Sequence, residues 1–144
     1  MNIERSTFAI TGASGGLGAA MAKRLAAKKA RVALIDLDAD KLQEVANDLS
    51  LPEKDCLTVA CNVGDEEQVD AAFASIAEHF GGLDVLVNNA GITRDALMLK
   101  FKDGERVSRM SLADWNAVIN VNLTGVFLCT RAAAEQMALG GNGG

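Results

Sequence analysis

Near the amino terminus the stretch TGASGGLG (11–18) has the composition of a phosphate cradle. It follows a short apolar run, TFAIT (7–11), and leads into LGAAMAKRLAAKK (17–29), whose apolar residues recur at helical spacing. A strand that turns through glycine into a helix presents unpaired N–H groups and about half a positive charge to an anion. Gly12, Gly16 and Gly18 allow a pyrophosphate to approach the backbone, and Ser14 and Leu17 lie in the same turn. Their GxxxGxG spacing differs from the GxGxxG of the commoner dinucleotide fingerprint. Asp36 closes the next apolar run, RVALID (31–36). A carboxylate at the end of a second strand is placed to accept from the ribose hydroxyls of an adenosine, with Leu37 beside it. Asp38 is better placed to cap the helix that follows.

These groups converge only if the strands lie side by side. Apolar runs at 7–11, 31–36, 56–63 and 83–90 alternate with amphipathic stretches at 17–29, 38–49, 65–80 and about 111–139. The fourth run contains VLV without polar alternation, which predicts a strand buried on both faces. Gly81 is placed as a helix C-cap, and Ser111 with Asp114 forms a capping box. A connection with a polar middle, KFKDGERVSR, spans 91–110. The pattern predicts an α/β fold, a doubly wound parallel sheet with right-handed crossovers. It reaches only the fourth strand and its following helix.

Composition narrows the function classes. The 144 residues are 49% hydrophobic and 23% charged, enough for one domain with a core. A net charge of −5 without a basic stripe argues against nucleic acid as a partner. No uninterrupted apolar run approaches the ~20 residues of a membrane span, and the amino terminus lacks a signal region. A cytoplasmic location is therefore expected. Cys56, Cys61 and Cys129 have neither CxxC spacing nor nearby histidines, so they read as free buried thiols and no metal site is expected. His79 reads as a helix-dipole partner.

TGASGGLG, NNAG (88–91) and VNLTG (121–125), in this order, resemble the short-chain dehydrogenase/reductases across the whole chain. The resemblance implies a Rossmann-type sheet ordered 3-2-1-4, with NAD(P) lying across the carboxyl ends of the strands. It implies Gly12, Gly16 and Gly18 at the pyrophosphate, and Asn62 and Val63 beside the adenine. The family more often has Asp at the position of Asn62. Asn89, Ala90 and Gly91 would pass close to the riboses, and Asn88 would hold the sheet together. Asn122 matches the family's catalytic Asn, which anchors a water relay. Asn120 lies on another helix face. The family's proton donor is a Tyr with a Lys four residues later, aided by a Ser after the Asn. This chain contains no tyrosine, so alone it is expected to bind part of a cofactor and catalyse nothing.

Family members that use NADP tend to carry a basic residue in the glycine turn or after the second strand. Gly15 and Leu37 stand there. A carboxylate ~4 Å from a 2′-phosphate costs on the order of a few kcal/mol at an effective dielectric of about 20, so NAD is expected. GITRDALMLK (91–100) and MSLADWNAVINVNLTGVF (110–127) resemble the 3-oxoacyl carrier-protein reductases, while the long connection before the last helix is more like type-2 3-hydroxyacyl-CoA dehydrogenases. Both imply a ketone and a secondary alcohol interconverted on an acyl thioester. Lys100, Lys102, Arg106 and Arg109 read as a solvated loop, with a phosphopantetheine or CoA phosphate as the alternative. The resemblance also implies a homotetramer or dimer, or pairing with a complementary carboxyl-terminal chain. LGGNGG (139–144) reads as a helix cap at Gly140 and then a loop tip. Residues 1–144 are thus expected to form the amino-terminal part of a single-domain enzyme; a non-catalytic nucleotide-binding or scaffold protein is the other reading.

Overall fold

The computed structural model describes residues 2–140. Four parallel strands, β1 (Thr7–Thr11), β2 (Arg31–Asp36), β3 (Cys56–Ala60) and β4 (Val85–Val87), lie in the order β3-β2-β1-β4. Side chains alternate across the sheet and build two apolar layers. Phe8, Ile10, Val32 and Leu34 meet Ala22 of α1 (Gly16–Ala26) and Leu42 of α2 (Ala39–Leu49). Ala9, Ala33 and Ile35 face Phe73 and Ile76 of α3 (Glu66–Phe80) and Leu128 of α5 (Gly125–Leu139). The helices therefore cover both faces, as the alternation of elements predicted.

The helix ends follow from capping chemistry. Asp38 accepts from the Lys41 N–H at 3.1 Å, and Asp65 from the Gln68 N–H at 3.1 Å. Ser111 accepts from Asp114 N, as the capping box predicted. Gly81 takes φ 74° at the end of α3. Gly140 ends α5 in the right-handed region, at φ −68°, instead of a left-handed cap. The loop tip expected beyond it lies outside the described residues.

Three features differ from expectation. β4 covers only Val85–Val87, and those residues are half-buried. Among the described residues only β1 pairs with it, so β4 is the sheet edge, as the order 3-2-1-4 implied. The connection at 91–110 holds an antiparallel hairpin, β5 (Leu99–Lys102) and β6 (Glu105–Arg109). Its two-residue turn, Asp103–Gly104, has φ of 53° and 82°, the paired positive values that Asp-Gly supplies in hairpin turns. Finally, the helix from α4 (Leu112–Ile119) to α5 passes through a widened π turn at Asn120–Thr124. By length and composition this continuous helix, Leu112–Leu139, is apolar enough to cross a membrane, an 18-residue stretch of it having a mean hydropathy of 1.3. Counting uninterrupted runs missed it. Its buried residues Leu128, Cys129, Ala132 and Ala133 pack into the layer shared with α3, as in a core helix.

Gly125 sets how closely α5 approaches β3's exit. A Cβ there would lie 2.9 Å from Val63 Cγ2 and 3.2 Å from the Val63 carbonyl oxygen. Gly125→Ala is expected to destabilise the fold by about 1–3 kcal/mol through overpacking. Urea melts check this: adding Val63→Ala should restore part of the loss, and an unchanged midpoint for the single variant would refute the packing account.

Candidate cofactor site

β1 delivers the glycine turn at the carboxyl edge of the sheet. Gly12 has φ +67°, and a Cβ on it would come within 2.9 Å of Ala90 Cα. A Cβ on Gly18 would overlap the Gly12 carbonyl oxygen and reach 2.9 Å from Ala13 Cα. Gly16, at φ +55°, has nothing within 4 Å of its Cβ position. Two glycines therefore close the turn and the third leaves its outer side open. Gly15 caps α1 without a side-chain hydrogen bond, so the first N–H groups of the helix remain for a ligand.

Asp36 is fixed to this turn. One carboxylate oxygen accepts from Ser14 N–H at 3.1 Å and the other from Leu37 N–H at 2.7 Å. Leu17 and Leu37 are largely exposed. Gly12, Asp36, Leu37, Asn62, Val63, Ala90 and Gly91 line one cleft of about 130 Å³. That is below the ~300–1,000 Å³ of a complete small-molecule pocket, so the cleft has room for only part of a larger ligand. Cys61, Ile92 and Val121, to which the sequence assigned no site role, complete its lining. Asn62 Oδ1 accepts from Gly64 N–H at 3.0 Å, turning the chain after β3. Ser14, Gly16, Leu17 and Gly18 lie in the turn and the start of α1, outside that lining.

The two asparagines of NNAG divide their work differently from expectation. The Asn89 amide donates to the carbonyls of Thr11 and Gly12, both at 3.0 Å, and so ties β4 to β1. Asn88 donates to Thr130 Oγ1 on α5 at 3.0 Å. The sheet-holding role expected of Asn88 thus falls to Asn89. Thr11 completes the tie: its buried hydroxyl accepts from the N–H groups of Asn89 and Ala90, both at 3.0 Å. A threonine at the end of an apolar strand was the available signal, because a buried hydroxyl needs partners.

Asn122 sits in the π turn and clamps one residue of the loop after β4. Its Oδ1 accepts from Ile92 N–H and its Nδ2 donates to the Ile92 carbonyl, both at 2.9 Å. Both ends of the amide thus hold this loop, and each keeps one further hydrogen-bonding position. Asn120 turns the other way and donates to the Gly64 carbonyl at 3.3 Å. Asn122→Ala removes two hydrogen bonds of ~1 kcal/mol each, so exchange of the Ile92 amide is expected to rise by about tenfold or more. Unchanged protection in a hydrogen-exchange experiment would overturn the clamp.

His79 is remote from the site: its Nε2 lies 3.1 Å from the Glu53 carbonyl and its ring packs edge-on against Phe80. Cys61 lines the cleft, and Cys129 lies buried on α5. Burial, with the Asp65 carboxylate adding to it, pushes the Cys61 thiol up to about 11. Burial, with Cys61 adding, pushes Cys129 up to about 12. Neither is a nucleophile near neutral pH. Above their ordinary value of 9.0, thiols of the unfolded chain release protons that the folded chain keeps. Stability from these groups is therefore complete below about pH 9 and lost as pH rises towards about 12. Urea midpoints should fall across that range, and less steeply in a Cys61→Ala/Cys129→Ala variant; equal slopes would refute the linkage.

The model of the short chain dehydrogenase family matches residues 6–144. The chain belongs to this family. It is 40% identical over 129 residues to a 3-oxoacyl-[acyl-carrier-protein] reductase of Synechocystis sp., covering 89% of this chain and 49% of that one. It is 37% identical over 134 residues to D-threitol dehydrogenase of Mycolicibacterium smegmatis, covering 93% and 48% respectively. Among solved structures, a 3-ketoacyl-(acyl-carrier-protein) reductase from Brucella melitensis complexed with NADH superposes with a TM-score of 0.81 at 32% identity, covering 93% of this chain and 51% of that one. The sheet is of the Rossmann type, and the chain spans about half the length of the family members it matches.

Proposed function

We propose that residues 1–144 are the cofactor-binding, amino-terminal part of a single-domain oxidoreductase that uses NAD to interconvert a ketone and a secondary alcohol, with 3-oxoacyl and 3-hydroxyacyl thioesters as substrates. The observation that carries this reading is the convergence of Gly12, Asp36 and Ala90–Gly91 on one cleft, beside the open start of α1. In it, the N–H groups around Gly16 and Gly18, with Ser14, take the pyrophosphate. Asp36 accepts from the adenosine ribose, with Leu17 and Leu37 flanking it. Asn62 and Val63 border the adenine. Ala90 and Gly91 pass the second ribose, and Asn89 holds their loop to β1. Asn122 sets the position of Ile92 and hence of that loop.

The bound nicotinamide supplies the hydride. A proton must reach the developing alkoxide as the hydride arrives. No tyrosine exists within these 144 residues, so the phenol that the family uses must come from chain beyond them. Assembly as a homotetramer or dimer, in the cytoplasm, belongs to the same reading; the free thiols Cys61 and Cys129 are in keeping with a reducing compartment.

The test uses the full-length protein. It should reduce a 3-oxoacyl thioester and bind NADH about two to three powers of ten more tightly than NADPH, because Asp36 would face the 2′-phosphate. Asp36→Ala with Leu37→Arg should reverse the preference. Equal affinities for the two cofactors in the unaltered protein would sink the NAD assignment, and turnover of simple polyols alone would sink the thioester.

A further inference from the structure

Among the described residues nothing covers the β5–β6 hairpin. Every strand residue in it is exposed, Phe101 by 61% and Val107 by 53%, and it makes no substantial contact with any other helix or strand. Opposed residues share a face, and the register shifts by one between Lys100 and Phe101. Leu99 and Phe101 consequently share a face with Arg106 and Arg109, while Lys100 and Lys102 lie on the other. Leu97 and Met98 continue the exposed apolar surface to the base, where Met110 N–H donates to the Met98 carbonyl at 3.1 Å. A two-stranded hairpin is marginal alone, and a contiguous exposed apolar patch marks a contact surface.

Charge identifies what fits it. The hairpin and its turn carry Lys100, Lys102, Arg106 and Arg109 against Asp103 and Glu105, in a chain whose net charge is −5. An acidic partner is repelled by most of this chain and drawn to the hairpin. Shape points the same way: small ligands occupy concave sites, whereas this element stands off the body and offers apolar side chains outward. Its position connects it to the chemistry. It follows Ile92, the residue clamped by Asn122 at the cofactor cleft.

We propose that the β5–β6 hairpin is a docking arm for an acidic carrier protein that brings the acyl thioester to the site. This rests on the thioester reading above. Arg106 and Arg109 meet the carrier's acidic groups on the face they share with Leu99 and Phe101, and those two apolar side chains supply the contact that holds it.

The experiment titrates full-length protein with a fluorescently labelled, phosphopantetheine-bearing acyl carrier protein. R106E/R109E and L99S/F101S should each weaken binding roughly tenfold, several modest surface contacts being lost together. Binding by the unaltered protein should fade as added salt shortens the screening length. Turnover of a short N-acetylcysteamine thioester should stay within about twofold in both variants, since no hairpin residue is assigned to the site. Unchanged carrier binding would overturn the proposal. So would an equal rise in KM for acyl-CoA, which would make the hairpin a phosphate site. A drop in oligomeric mass for L99S/F101S would assign it to a second copy of the chain and also overturn the proposal. If the unaltered protein reduces the short thioester but does not bind the carrier, the docking arm falls and the proposed function stands; if it does neither, both fall.

Discussion

The site depends on how tightly β1 and β4 can be joined at their carboxyl ends. The two strands are parallel neighbours, yet the chain leaves them towards opposite faces of the sheet, through the glycine turn and α1 on one side and the Ile92 loop on the other. That divergence opens the crevice in which such sheets bind ligands. It also leaves strand-end backbone groups without sheet partners, which cannot remain bare when buried. Thr11 and Asn89 meet this need by taking the N–H groups of Asn89 and Ala90 and the carbonyls of Thr11 and Gly12. At the same place Gly12 lies so close to Ala90 that no Cβ fits. The crevice is open above because the backbones are locked together below.

Much of the site is consequently built from missing side chains. Gly18 lets α1 start directly against the turn, and Gly125 lets α5 lie against Val63. Gly64 leaves room for the Asn120 amide, which bonds its carbonyl. The π turn at Asn120–Thr124 allows Asn120 and Asn122 to reach in different directions, one to Gly64 and the other to Ile92. Two separate loops of the cleft are thus anchored to one helix. Widened turns of this kind often occur where a helix serves a site, because extra backbone changes side-chain direction without ending the helix.

The elements themselves were legible in the chain because periodicity reports burial. Strand residues such as Phe8, Ile10, Val32 and Leu34 announce a sheet covered on both sides, and Asp38, Asp65 and Ser111 announce helix starts. Convergence of the glycine turn with Asp36 was legible too, because strand ends in a parallel sheet share one edge. The roles of Asn88 and Asn89 were not. Adjacent residues leaving a strand point in opposite directions, and only the actual end of β4 decides which faces β1. The π turn leaves apolar spacing almost unaltered, so no periodicity reveals it. The hairpin did leave a signal in Asp103–Gly104, but its strands are too polar to report burial that does not occur.

One further constraint concerns charge. A dinucleotide pyrophosphate is an anion, and this chain has a net charge of −5. Binding is therefore decided by local field and not by the total. The helices that begin afresh elsewhere place acids in their first turns: Asp40 in α2, Glu66 and Glu67 in α3, and Asp114 in α4. Those carboxylates neutralise the positive ends of their own helices. α1 has no acid in its first turn and no side-chain cap. Its positive end is left uncompensated by the protein, at the one helix start that meets the glycine turn. Asp36, bonded to the glycine turn through Ser14, is held at the end of β2 by two backbone N–H groups. In the proposed function the same acidic chain would hold a pyrophosphate at α1 and turn away a 2′-phosphate at Asp36, because each interaction acts over a few ångströms and salt screens the remainder.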